Sequence, residues 1–261
     1  MAVRDARYLD RARWADVNTA DASAWASRTL MTMQGPVSSR LELTAGQSFA
    51  PGYPVANPPD PIGTRRLRGT IYARGLVESK RTFGAGRSSL RLRAVAAGTL
   101  GGTAVPLQRR VFLAGADPYE TFRDPFLRSR GAPLADADIH YQAAGGLGLR
   151  GFVPTGTAAW GAALNAEAVR RLVERPRSRF FTSVSAALFA DVALLDRAVL
   201  GRAVAADAGA GLRAAHRIGP TRFVTRVDLP LLVSRPAAGV AGAAGDGLFK
   251  FRWVWSLEEA F

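Results

Sequence analysis

The stretch GPTRFVTRVDLPLLV, Gly219 to Val233, decides how the chain is read. Phe223, Thr225, Val227 and Leu229 alternate with Arg222, Val224, Arg226 and Asp228, a period of two that belongs to a strand with charge on one face and mainly apolar groups on the other. The pattern returns elsewhere. LRLRAVAAG sets Leu90 and Leu92 against Arg91 and Arg93, and RRLRGTIYARGLVES sets Leu67 and Ile71 against Arg66, Arg68, Thr70, Tyr72 and Arg74. In LFKFRWVWSLEEAF, Phe249, Phe251, Trp253 and Trp255 share one side, Lys250, Arg252 and Val254 take the other, and the chain ends on Phe261. Four consecutive same-face aromatics are more than a soluble sheet normally turns to water.

Weaker alternation covers 6–18, 24–34, 39–50, 179–193 and 204–216, divided by turn signals such as QGPVSS and PGYPVANPPDP, which makes about ten strands in all. Two irregular stretches interrupt them, 51–64 and a longer one from about 100 to 160, and loops of that length in a compact domain are usually functional. No repeat of solenoid or propeller period and no linker divides the chain, so 1–261 reads as a single domain. The segment AALNAEAVRRLVERP, 162–176, stands apart: taken alone, its Ala, Glu, Arg and Leu content favours a helix, with Asn165 available as a cap.

Hydrophobic content of 48% over 261 residues is that of a folded protein. Basic residues outnumber acidic ones 35 to 21, and the net charge of +14 is carried almost wholly by arginine, since Lys80 and Lys250 are the only lysines. That balance raises nucleic acid or an anionic surface as a partner. The arginines, however, are spread over many strands, at 66, 68, 74, 91, 93, 213, 222 and 226, without interleaved stacking aromatics, so no nucleic-acid face is expected. The lack of cysteine removes disulfides, thiolate metal sites and cysteine nucleophiles. No run reaches the ~20 apolar residues of a membrane helix, which leaves open a barrel whose strands of ~9–11 residues betray themselves only by alternation. The opening MAVRDARYLDRARWADV carries charges where a signal peptide has its apolar core, so an exported chain would need residues upstream of Met1.

Strands with one apolar face can hide it in a sandwich or turn it toward lipid in a barrel. Recurrent arginines on the polar faces suit a hydrated lumen, and the aromatic-rich terminal segment suits a strand at the headgroup interface. The stretch GGLGLRGF, Gly145 to Phe152, sharpens the choice. Its Gly146, Gly148 and Gly151 have the spacing of a dinucleotide-binding loop, but that loop needs a helix starting at its last glycine, and Pro154, Gly156 and Gly161 intervene.

GGLGLRGF resembles the sixth extracellular loop of the bacterial surface antigen superfamily of outer-membrane barrels, through Gly145, Gly146, Leu149, Arg150, Gly151 and Phe152. The segments C-terminal to it are similar to that superfamily in the same order: Asn165 and Glu167, then Phe189 to Val192, Gly209 to Arg213, Asp228 to Pro230, and the aromatic terminal strand. The resemblance covers 145–261 by motif and 1–144 by strand pattern. It implies an all-β fold, an antiparallel transmembrane β-barrel in which about ten strands are seen of about sixteen, with 162–173 a strand rather than a helix. It also implies a long loop folded inward, with Arg150 meeting Glu167 and Asp191 on the lumen wall, where its planar fork suits carboxylates. The alternation agrees for Asp191, which falls on the side of Ser183, Ser185 and Phe189.

The activity implied is insertion or translocation of proteins at the outer membrane of a Gram-negative-type bacterium, or anchoring of a periplasmic domain. No enzyme chemistry, cofactor or metal is called for. The partners are outer-membrane lipid and unfolded outer-membrane or exported proteins. In this reading Phe249, Phe251, Trp253, Trp255 and Phe261 form the closing strand and insertion signal, over 248–257, as one side of a weakly paired seam. Asp136, Asp138 and His140 in DADIHY read as a solvated loop rather than a metal or catalytic cluster, because only two histidines exist in the chain. Two other readings stand beside this one: a complete small outer-membrane barrel with pore or enzyme activity, and a soluble basic β-sandwich that binds a polyanion.

Overall fold

Among the described residues the period-two segments are strands. A computed structural model describes residues 18–49, 71–101, 105, 109–113, 146–152, 157–174, 181–196, 204–234 and 254–259. Before the long central loop run β1 (Asn18–Thr32), β2 (Gly35–Phe49), β3 (Ile71–Ala85) and β4 (Ser88–Leu100). After it come β7 (Trp160–Glu174), β8 (Phe181–Leu195), β9 (Val204–Ile218), β10 (Thr221–Val233) and β11 (Val254–Glu259). Two-residue strands β5 (Val111–Phe112) and β6 (Thr157–Ala158) pair with each other inside the loop region, where the sequence shows no period. The nine long strands form one antiparallel sheet in the order β1-β2-β3-β4-β7-β8-β9-β10-β11. Among the described residues no pairing joins β1 to β11, and no α-helix occurs.

The expected segment 6–18 lies almost wholly outside the described residues, as do 248–253 of the expected terminal strand. The helix-favouring composition of 162–176 loses to tertiary context. β7 pairs with β4 on one side and β8 on the other, and its residues alternate between covered and bare, so long-range pairing overrides a weak local preference.

One face of the sheet is covered and the other bare. On the covered face lie Glu42, Arg74, Glu78, Asn165, Glu167, Asp191, Asp207, Arg213, Arg226 and Asp228, all buried. On the bare face Ile71 is 74% exposed, Leu188 66% and Leu164 50%, whereas Asp228 across the sheet is 0% exposed. Burial is thus inverted: charged groups are inside and large apolar ones outside. Along β4 the bare positions Leu90, Leu92, Ala94, Ala96, Gly98 and Leu100 include no ionisable residue, and along β8 neither do Val184, Ala186, Leu188, Ala190, Val192 and Leu194. At ~3.3 Å per residue each of these runs is about 33 Å long.

The two ends of the sheet also differ. Residues 33–34, 86–87, 175–180 and 219–220 connect strands at one end, and 50–70, 101–159, 196–203 and 234–253 at the other. Gly86 and Gly219 have φ of 58° and 59°, the left-handed geometry that a two-residue hairpin turn requires. Successive hairpins are staggered in one direction. Arg81 pairs with Val37, Arg170 with Ser88 and His216 with Phe181, so each hairpin reaches past the one before, by two, four and two residues. That displacement of about eight residues over about six strand spacings of ~4.8 Å corresponds to a strand tilt of about 40°.

Candidate functional site

The loop segment 146–152 lies on the covered face of β7–β10. Gly146 and Gly148 take positive φ of 53° and 75°, and between them Leu147 turns fully inward. The Leu147 and Leu149 amides donate to the carbonyls of Phe112 and Leu113, each at 2.9 Å, so the segment adds to the small sheet of β5 and β6. Leu147, Leu149 and Phe152, with Val111 and Leu113, form an apolar core against Ala163, Ala193, Leu195, Ala205 and Val233, near the long-connection ends of the strands. Small residues on both the strands and the loop make the approach possible. A Cβ on Gly161 would stand 2.5 Å from Leu147 Cδ1, and one on Gly151 would stand 2.7 Å from Val233 Cγ2.

Beyond this apolar layer Arg150 enters a cluster of charges. Its Nη1 donates to Glu167 Oε2 at 2.7 Å, Nε is 3.2 Å from Asp191 Oδ2, and Nη1 is 3.5 Å from Asp228 Oδ2. The guanidinium carbon lies 4.2 Å from the centre of the Phe189 ring. Burial opposes the charge, but Asp191, Asp228 and Glu167 outweigh it and raise the Arg150 pKa above the ordinary arginine value. Arg213 is a second bridge, with Nη2 2.6 Å from Glu167 Oε2 and Nη1 2.6 Å from Asp228 Oδ1. Arg226 Nε adds a contact of 3.1 Å to Asp228 Oδ2. Arg150, Arg213 and Arg226 therefore share one enclosed site with Glu167, Asp191 and Asp228, with Asp207 hydrogen-bonded to Asp191 and Arg91 Nη1 3.8 Å from Glu167 Oε1, so that buried charges face charges of opposite sign.

The backbone of the loop is also held by side chains of the sheet. Gly151 N–H donates to Asp207 Oδ2 at 3.0 Å, and Asn165 Nδ2 donates to the Leu147 carbonyl at 3.2 Å and to Asp191 Oδ1 at 3.0 Å. Arg93 Nη2 donates to the Gly146 carbonyl at 2.7 Å, while its Nη1 reaches Asn165 Oδ1 at 3.0 Å and its Nε pairs with Glu78. Phe189 faces Gly209 across the ladder, and a Cβ there would lie 2.8 Å from Phe189 Cζ and 2.0 Å from the Leu229 carbonyl oxygen. The missing side chain of Gly209 is what lets the ring lie under Arg150.

Of the residues singled out from the sequence, Gly146, Leu149, Arg150, Gly151, Phe152, Glu167 and Asp191 come together here. Gly145, Phe249, Phe251, Trp253 and Phe261 lie outside the described residues, as do Asp136, Asp138 and His140. Trp255 stands opposite Val227 in the β10–β11 ladder. Sequence reasoning did not assign Asn165, Asp207, Arg213, Arg226 or Asp228 to the loop, nor Phe189 to the Arg150 guanidinium. The signal was present, because four of the five strand motifs after the loop supply at least one member of the site: Asn165 and Glu167, Phe189 and Asp191, Arg213, and Asp228. The polar face was expected to be hydrated; instead Arg213 and Arg226 are buried against Glu167 and Asp228.

No group of His, Cys, Asp and Glu suited to a metal occurs among the described residues, and no described helix is long and apolar enough to cross a membrane. No protein-family model, curated protein or solved structure matches the chain.

Proposed function

We propose that the chain is part of an outer-membrane β-barrel of the bacterial surface antigen type, with the 146–152 loop seated against the inner wall, acting in insertion or translocation of outer-membrane proteins or anchoring a periplasmic domain. The observation that carries the membrane part of this reading is the inverted burial: charged residues crowd the covered face while Ile71, Leu164 and Leu188 stand bare. A soluble sandwich would spend its driving force hiding that bare face. In lipid it is the face that belongs outside. Uncharged runs of about 33 Å, on strands tilted by about 40°, cross about 25 Å, the height of the apolar band of such barrels. Short turns at one end and long connections at the other suit the periplasmic and external sides respectively.

The superfamily part rests on the convergence of the motifs on Arg150. Three strand stretches, ordered as in that family, meet the loop's buried arginine through Glu167, Phe189 with Asp191, and Asp228, and a fourth joins the same cluster through Arg213, which contacts Glu167 and Asp228. β11 stands at one end of the strand order, where one side of the proposed seam would lie.

Refolding of the full chain from urea into detergent micelles tests the reading. A barrel runs faster on a gel unheated than boiled, and it shields its strands from protease. A folded monomer in buffer without detergent would overturn the proposal.

A further inference from the structure

The bare face changes character at the short-turn end. From the long-connection end its positions on β1–β10 carry no ionisable group until Arg28, Arg81, Arg170 and His216, and all four lie near the short turns. Three are arginines, and none of the four is acidic. Arg28 and Arg170 are exposed, and their side chains make no hydrogen bond or ion pair with a described residue. Arg81 is held in place, its guanidinium carbon 4.5 Å from the centre of the Phe83 ring and its Nη2 donating to Gln34 Oε1. Arg87 in the adjoining turn is likewise exposed, and its carbonyl accepts from Arg171 N–H at 2.8 Å, which brings the β3–β4 turn beside Arg170. Aromatic rings sit at the same end: the His216 ring lies between Phe181 and Phe223, each with its centroid 4.8 Å away.

We infer that this rim of Arg28, Arg81, Arg87 and Arg170 binds the phosphates of anionic phospholipids in the leaflet next to the short turns. The inference rests on the membrane reading of the bare face and adds a lipid class and an orientation to it. Where the apolar band ends, the bilayer offers its headgroups, and a guanidinium fork matches a phosphate in two hydrogen bonds. Arginine stems lie along apolar surface while their heads reach the interface, and aromatic rings favour that depth. Each cation near an anionic surface contributes roughly fivefold in partition, an attraction that salt screens.

The test is refolding of the full chain into vesicles of phosphatidylcholine alone and of phosphatidylcholine mixed with phosphatidylglycerol, scored by heat-modifiable migration. The native chain should insert into both and do so at least tenfold more efficiently into the anionic vesicles at low salt. R28Q/R81Q/R170Q should insert into phosphatidylcholine as the native chain does, yet lose most of the gain from phosphatidylglycerol; R28K/R81K/R170K should keep most of it. Equal gain for the native chain and the glutamine variant, or no gain for a native chain that inserts into both, overturns the inference and leaves the membrane reading standing. Insertion into neither vesicle breaks the membrane reading and the rim with it. Heparin binding by the soluble chain, lost in the glutamine variant, would then assign these arginines to a soluble polyanion.

Discussion

The covered face handles charge differently over β7–β10 and over β2–β3. Under the loop the side chains of Arg150, Arg213, Glu167, Asp191 and Asp228 are all at most 8% exposed, and the wetter partner is Arg91, 3.8 Å from Glu167 Oε1 at 31% exposure. Over β2–β3 Glu42 pairs with Arg40 at 35% exposure and Glu78 with Lys80 at 54%, so each has a wet partner, and Glu78 also holds Arg93 at 17%. The chemistry of the partners is the same, and what differs is the lid. A pair with a wet member can exchange its partner for water, while a dry cluster has no such exchange and must be complete. Energetic dependence on the loop should therefore concentrate at β7–β10.

The largest effect expected is that of Arg150→Ala. Removing the guanidinium leaves Glu167, Asp191 and Asp228 with one cation fewer in an enclosed site, and breaking such a buried pair costs about 3–5 kcal/mol. Urea unfolding of the detergent-folded chain, followed by tryptophan fluorescence, would measure it. A loss near zero would mean that water already reaches the cluster, and the contrast between the two regions would disappear.

Next comes Gly209→Ala, which acts on the same site without touching a charge. The added Cβ meets the Leu229 carbonyl oxygen and Phe189 Cζ, and the first of these is backbone that cannot swing aside. Forcing an atom into such a position costs about 1–3 kcal/mol, and displacing the ring also removes the surface under Arg150. Gly75→Ala is the control, since its Cβ meets nothing closer than Leu43 Cδ2 at 3.7 Å. Equal losses at the two glycines would remove the packing argument for Gly209.

The reach of sequence reasoning divides along the same line. Alternation pointed to the long strands other than β7, because a period of two survives in their composition. It did not decide which face would be covered, since a strand has two faces whichever way the sheet is turned. Glu167 and Asp191 could be named for Arg150 from motif resemblance, with alternation supporting the side of Asp191. Arg226 was visible only on a charged face and Asp228 only there and as a motif residue, neither assigned to the loop: the β9–β10 register shifts between Pro230 and Leu232, and only long-range pairing sets which charges lie opposite the loop. β5 and β6 have two residues each, too few for any period. At β7 the composition pointed to a helix, and pairing with β4 and β8 decided otherwise.

Two double-mutant cycles sharpen the comparison where single changes blur it. Arg150→Ala with Asp191→Ala should show a coupling of about 0.5–3 kcal/mol, because each residue is the other's buried partner at 3.2 Å. Additivity there would mean that the contact carries no energy of its own. Lys80→Ala with Glu78→Ala marks the lower end of the scale. Lys80 Nζ is 3.3 Å from Glu78, yet its side chain is half in water and Glu78 keeps Arg93 as a second partner. The coupling should be at most about 1 kcal/mol and should shrink further in high salt, which screens exposed pairs and leaves enclosed ones nearly untouched. The Arg150–Asp191 coupling should by contrast hold its value as salt is raised. If both fall together, the loop does not exclude water from β7–β10, and the two regions differ in the number of charges rather than in their environment.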